Sequence, residues 1–193
     1  MVNFTIIVDP DAKRRSAFIR RIKPEISPVE GLSERVCSFE DFSIIWAAGS
    51  WTPISSAIDE EGLAILWGEA INWSQSDRVS AKQLRQLWKD PTKKPPDPFD
   101  GFHVGAIYNP QDGLVAGVDL LGLFPIYYYA NDDLILVSST PEFFRYHPLF
   151  KMRLNPQGLV ALLLTNGLFE GQTLLKDIKR LDAGHARAPS VYA

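Results

Sequence analysis

The chain has 193 residues, 46% apolar and 22% charged, which suits one globular domain with a full core or one domain and the start of another. Twenty basic residues against 23 acidic ones leave a net charge of −3, so no broad cationic face is expected and nucleic acid is excluded as a natural partner. One cysteine, Cys37, excludes an internal disulfide and a cysteine-rich metal centre, and His103, His147 and His185 lack metal-ligand spacing.

In chain order, Val2 to Val8 is a β-prone run ended by Asp9-Pro10-Asp11. No cationic segment leads into an apolar run there, and no stretch reaches the roughly 18 apolar residues of a membrane span. The expectation is therefore a cytoplasmic protein with no membrane partner. Ala12 to Ile22 has a helical pattern, with Phe18 and Ile22 four apart and cationic residues elsewhere, and reads as a short surface helix with a solvated face. Pro24 and Pro28 are expected to end it. Cys37 reads as a small buried hydrophobe.

Phe42 to Ala48 and Leu63 to Leu66 read as strands, with turns at 49–53 and 59–62. Ser80-Ala-Lys-Gln83 is a capping box that opens a helix to about Asp90, with Leu84, Leu87 and Trp88 on its apolar face. Pro91 to Pro98 reads as a stiff, extended connector. Gly101 to Ser139 holds four short apolar runs: His103–Tyr108, Leu114–Val118, Ile126–Tyr129 and Leu134–Ser138. Turn clusters separate them, so an antiparallel meander is expected. Pro141 to Phe144 starts a short helix that His147-Pro148 stops. Asn155-Pro156 starts another, whose stripe of Leu159, Leu162 and Leu163 is expected in a core or a domain interface.

Asp119-Leu-Leu-Gly122-Leu-Phe-Pro125-Ile-Tyr127 resembles the Asp-x-x-Gly-x-x-Pro-Leu-Tyr segment of the asparagine synthetase family, in its N-terminal class II glutamine amidotransferase domain. Val137-Ser-Ser139, the run from Asn155, and Gln172 to His185 follow in that family's order, so the resemblance covers roughly residues 100–188. It implies an α+β fold, a four-layer αββα sandwich of two antiparallel sheets of the N-terminal-nucleophile type. Residues 1–188 would form this domain, and 189–193 would lead to a synthetase domain outside the chain. ATP and Mg would be needed only there, because no phosphate-binding motif occurs in these 193 residues.

The same resemblance points to site residues. The family's nucleophile is an N-terminal Cys, whose α-amine, with a pKa of about 8, serves as its base; the position here is Val2, which cannot attack an amide. Trp67-Gly68-Glu69-Ala-Ile-Asn72 falls on the family's Asn-Gly-Glu-Ile-Tyr-Asn, in which the Asn amide and the Gly N–H form the oxyanion hole. Gly68, Glu69 and Asn72 are kept as a vestigial pocket, but Trp67 takes the oxyanion position. One lost donor of this kind costs about 3 kcal/mol of transition-state stabilisation. The family's Arg-Gly turn, whose Arg holds the carboxylate of glutamine, is absent. Asp77 stands near, but out of register with, the expected amine ligand. His185 reads as part of a Gly-His turn.

These readings imply a degenerate, non-catalytic glutaminase-like domain that supports an ATP-dependent amide ligase, as in β-lactam synthetase and macrolactam cyclases. The expected partner is the downstream synthetase domain, and a homodimer is a further possibility. Two alternatives stay open: an active glutaminase that supplies ammonia, and a stand-alone amino-acid-binding module.

Overall fold

The protein is described by a computed structural model at residues 2–72, 76–88 and 99–184, and at the backbone of 186–187. The chain divides into two compact units. Residues 1–2, 49–125 and 181–190 form the first, and residues 3–48, 126–180 and 191–193 the second.

The second unit is built on a six-stranded antiparallel sheet. Its order is β12 (Lys179–Arg180), β10 (Tyr127–Asn131), β11 (Leu134–Ser138), β1 (Val2–Val8), β3 (Phe42–Gly49) and β2 (Leu32–Ser38). β1 and β11 pair with Ile6 opposite Val137 and Ile7 opposite Leu136. Helix α1 (Ala12–Ile26) starts where the Asp11 carboxylate accepts the N–H groups of Lys13 and Arg14. It buries Phe18, Ile22 and Ile26, four residues apart, against Ile7, Ile45, Leu134 and Leu136. Each such side chain contributes roughly 2 kcal/mol on leaving water.

Two expectations for this helix are corrected. It does not end at Pro24 but runs through it to Ile26. A proline inside a helix costs about 3 kcal/mol, and here the further turn places Ile26 on the buried stripe while Asn3 Nδ2 donates to the Ile26 carbonyl at 3.0 Å. Nor is its polar side all solvated. Arg15, three residues before Phe18, is buried and donates to the carbonyls of Asp9, Phe39 and Glu40.

A 3₁₀ helix (Pro141–Tyr146) follows β11, capped by the Thr140 hydroxyl. Helix α3 (Pro156–Thr165) ends at Asn166 in the left-handed conformation, which asparagine tolerates. Its leucine stripe is not core: Gly158 is its one buried residue, while Leu163 and Leu164 are 75% and 79% exposed. Cys37 is half-buried on the edge strand β2, and burial pushes its thiol up.

In the first unit a five-stranded antiparallel sheet has the order β13 (Ala186–Arg187), β9 (Gly113–Val118), β8 (His103–Asn109), β5 (Gly62–Gly68) and β4 (Ile54–Asp59). The capping box of α2 (Ala81–Trp88) forms as read: Ser80 N donates to Gln83 Oε1 at 2.8 Å and Gln83 N to Ser80 Oγ at 3.3 Å. The helix buries Ala81, Leu84 and Trp88 on the sheet, with Leu87 more than a third exposed instead of buried. A two-stranded ribbon, β6 (Ile71–Asn72) with β7 (Asp77–Arg78), precedes it. The expected connector at 91–98 lies outside the described residues.

The meander is corrected in one respect. β8 pairs with β9 and β10 with β11, but the two hairpins belong to different sheets. The segment between them is a compact loop around Asp119, not a strand-to-strand turn, and its Pro125 has no N–H for a ladder. The coarse expectation stands: the fold is α+β, with two main antiparallel sheets and few helices.

Candidate functional site

Trp67 and Gly68, which fall on the family's oxyanion positions, lie at one end of the five-stranded sheet. The last full rung there runs Ile54, Trp67, Val104, Val118 across β4, β5, β8 and β9. Trp67 is 1% exposed, so its indole is part of the packing. One step further Gly68 stands opposite His103. Gly68 N donates to Pro53 O at 2.9 Å, and Glu69 N donates to Phe102 O at 3.0 Å. Both N–H groups thus extend the sheet's own ladder. Gly68 has φ +87°, and a Cβ there would lie 2.1 Å from Phe102 O. The backbones approach so closely that only glycine fits.

Glu69 pairs with Arg78 at 3.0 Å, holding the β6–β7 ribbon against the end of β5. Asn72, half-buried, lies opposite Asp77, and its carbonyl accepts Ser76 N. Asp77 is exposed, and Ser80 is occupied as a helix cap. Val2 opens β1 with 8% exposure. His185 lies outside the described residues.

Next to this end the chain folds around Asp119, which is fully buried at the close of β9. Its carboxylate accepts the N–H groups of Leu121, Leu123 and Phe124 at 3.0 to 3.5 Å. Its carbonyl accepts Gly122 N at 3.0 Å and Gly184 N at 2.8 Å. One aspartate therefore shapes the 119–125 loop and ties it to the 183–184 turn. His103, on the neighbouring strand, is 2% exposed; burial pushes its imidazole below the ordinary value and the Asp119 charge offsets this in part. Its Nδ1 has no hydrogen-bond partner among the described residues, and its ring lies 5.8 Å from that of Phe99.

This loop falls in the stretch, residues 77–191, that matches the glutamine amidotransferase domain family. The chain belongs to that family. No curated protein matches it. The matched stretch includes Asp119 and Gly184 and begins after Val2 and the 67–72 segment.

A second constellation in the amidotransferase domain escaped sequence reading. Asp9, Arg14 and His147 converge in the second unit. Asp9, fully buried, accepts Arg14 Nε and Nη2 at 2.9 and 2.7 Å, Asp11 N at 2.8 Å and His147 Nε2 at 3.0 Å. His147 Nδ1 accepts Leu149 N at 3.3 Å, which fixes the neutral tautomer with its proton on Nε2. Both carboxylate oxygens are used, so the cluster anchors α1 to the 3₁₀ helix. Only the Asp9–Arg14 half is local, since the two residues flank the helix cap at Asp11.

Burial works to raise the Asp9 carboxyl, but hydrogen bonds from Arg14, the Asp11 N–H and His147, together with the Arg14 charge, outweigh it and hold it below the ordinary carboxylate value. Burial lowers His147, and Asp9 only partly opposes this. For both groups, and for His103, the unfolded chain binds protons more readily than the folded one, so acid destabilises the domain. The unfolding midpoint is expected to be flat above pH 7 and to fall as pH drops below the ordinary histidine value of 6.5. Each histidine contributes at most about 1.4 kcal/mol per pH unit. A second decline follows below 3.8, as Asp9 protonates. Thermal melts across this range check both; a midpoint that rises between pH 7 and 5.5 contradicts the assignment.

Proposed function

We propose that this chain is a glutaminase-like domain of the asparagine synthetase type that hydrolyses no glutamine and serves as scaffold for an ATP-dependent amide ligase domain. The observation that carries this reading is the state of the two oxyanion donors. The Gly68 N–H is directed at the Pro53 carbonyl, and the neighbouring side chain is a packed indole where an amide would be required. The resemblance also places valine, which has no lone pair, at the nucleophile position. Glu69 is engaged with Arg78, which speaks against a free amino-acid pocket.

An αββα sandwich of the N-terminal-nucleophile type belongs to the same proposal and rests on the family resemblance alone. The ligase domain would take the apolar surface of α3 and the turn after it, where Val160, Leu163, Leu164 and Phe169 are all more than half exposed. A patch of that kind marks a protein interface.

Incubation with glutamine and assay of glutamate test the enzymatic half. The expected result is no release above the buffer blank, and measurable turnover sinks the reading. For the scaffold half, the ligase domain added to the chain is expected to raise the unfolding midpoint of both; no shift counts against it.

A further inference from the structure

The end of the five-stranded sheet that holds Trp67 and Gly68 carries a second feature, independent of glutamine chemistry. Its loops expose large apolar side chains. Trp51, in the turn before β4, is 96% exposed; Ile54 follows at 41%, Phe102 at 55%, and Leu120, Leu121 and Leu123 at 50%, 67% and 57%. The register and backbone bonds bring the segments that carry these six to the same end of the sheet. Ile54 is on the last full rung, Pro53 and Phe102 bond to Gly68 and Glu69, and Asp119, next to Leu120, donates its N–H to His103 O. The loop is not loose, since the Asp119 carboxylate holds the N–H groups of Leu121 and Leu123. The leucines are thus presented outward on a fixed backbone. Single exposed apolar residues need no explanation, but six around one rim mark a contact surface.

Charge indicates what would cover it. Among the described residues of these loops, Asp77, Asp100 and Asp182 are exposed, and the one base, Arg78, is bonded to Glu69. The first unit as a whole has eleven acidic and seven basic residues. An anionic bilayer would be repelled, and a second copy would bring like charge against like. A segment with apolar side chains and positive charge meets both features at once.

We propose that this rim is a docking surface for a cationic, amphipathic peptide segment of a partner protein, with Trp51 and Leu121 as its apolar anchors and Asp77, Asp100 and Asp182 as its charged border.

The test titrates the chain with an 18-residue peptide of lysine and leucine and with its glutamate and leucine counterpart. Readouts are calorimetry and the difference in tryptophan emission between the parent and a Trp51→Ser variant. The cationic peptide is expected to bind, to shift the Trp51 emission to the blue, and to bind more weakly as salt rises. Trp51→Ser and Leu121→Glu are each expected to weaken binding by about tenfold, the loss of one buried anchor. The triple change Asp77→Asn, Asp100→Asn and Asp182→Asn is expected to remove most of the salt dependence. Far-ultraviolet circular dichroism and melting of each variant establish that it is folded, and exposed positions should leave both unchanged. Equal binding of the two peptides, no binding of either, or binding indifferent to Trp51 and Leu121 overturns the proposal. So does binding to phosphatidylserine vesicles that depends on these two residues, or a dimer in sedimentation that they dissolve.

Discussion

The Asp9→Ala variant is expected to be less stable by about 3 kcal/mol, the lower part of the range for removing one partner of a buried ion pair. The loss has separable parts. The carboxylate is fully buried and accepts four hydrogen bonds, two from Arg14, one from Asp11 N and one from His147. After truncation the His147 Nε2–H has no acceptor from this carboxylate in a buried site, which costs about 1–3 kcal/mol. Arg14 is about one-third exposed and can regain water, which keeps the total low in the range. In a chain of this size, 3 kcal/mol corresponds to a midpoint lowered by roughly 10 °C. Asp9→Asn keeps the volume and one acceptor oxygen and should lose less, about 2 kcal/mol. Urea unfolding of the three proteins measures both, and a loss below 1 kcal/mol for alanine would mean that Arg14 and His147 find other partners.

How much of this was legible in the residues depends on the range of the interaction. Turn chemistry acts over a few residues, so the capping box at Ser80 and the hairpin turn at Asn109 were readable; Asn109 Oδ1 accepts the N–H groups of Gln111 and Asp112. The strands β3, β5, β8, β9 and β11 are buried on both faces and read as continuous apolar runs. Besides the two-residue strands β6, β7, β12 and β13, two longer strands were missed because they are edges. β2 has the sequence Leu-Ser-Glu-Arg-Val-Cys-Ser, and β4 buries only Ala57. An edge strand gives up one neighbour, and with it the apolar pattern that announces a strand. Pro24 misled for the opposite reason: the local penalty is real, but burial of Ile26 outweighs it.

The candidate site shows the same division. That Trp67 stands at the end of a strand was readable from the run Leu63–Leu66, but the direction of the Gly68 N–H was not. That depends on β4, whose strand was missed, because Pro53 is the residue just before it. The Asp9–His147 cluster joins residues 138 apart in sequence, and no local rule connects them. Likewise, Asp119 stood out as a motif residue, while its task, satisfying three N–H groups of its own loop, is visible only in the fold.

Retention of Gly68 therefore has a reason other than glutamine, and a substitution can separate the two. Gly68→Ala is expected to cost about 3 kcal/mol or more. The φ of +87° alone disfavours any L side chain by about 1 kcal/mol, and the new Cβ would sit 2.1 Å from the Phe102 carbonyl oxygen. That oxygen also accepts Glu69 N at 3.0 Å, so it cannot retreat without breaking the link between β5 and the segment before β8. Gly113 provides the control. Its φ is +82°, nearly the same, but no atom lies within 4 Å of its Cβ position, so Gly113→Ala should cost only about 1 kcal/mol. The difference between the two variants isolates the close approach from the backbone conformation. If both lost the same amount in urea unfolding, the contact with Phe102 would be shown to yield, and a structural reason for glycine in the Trp-Gly-Glu segment would be gone. A large gap means instead that the segment keeps its glycine because two strands meet there, whether or not an oxyanion ever forms beside it.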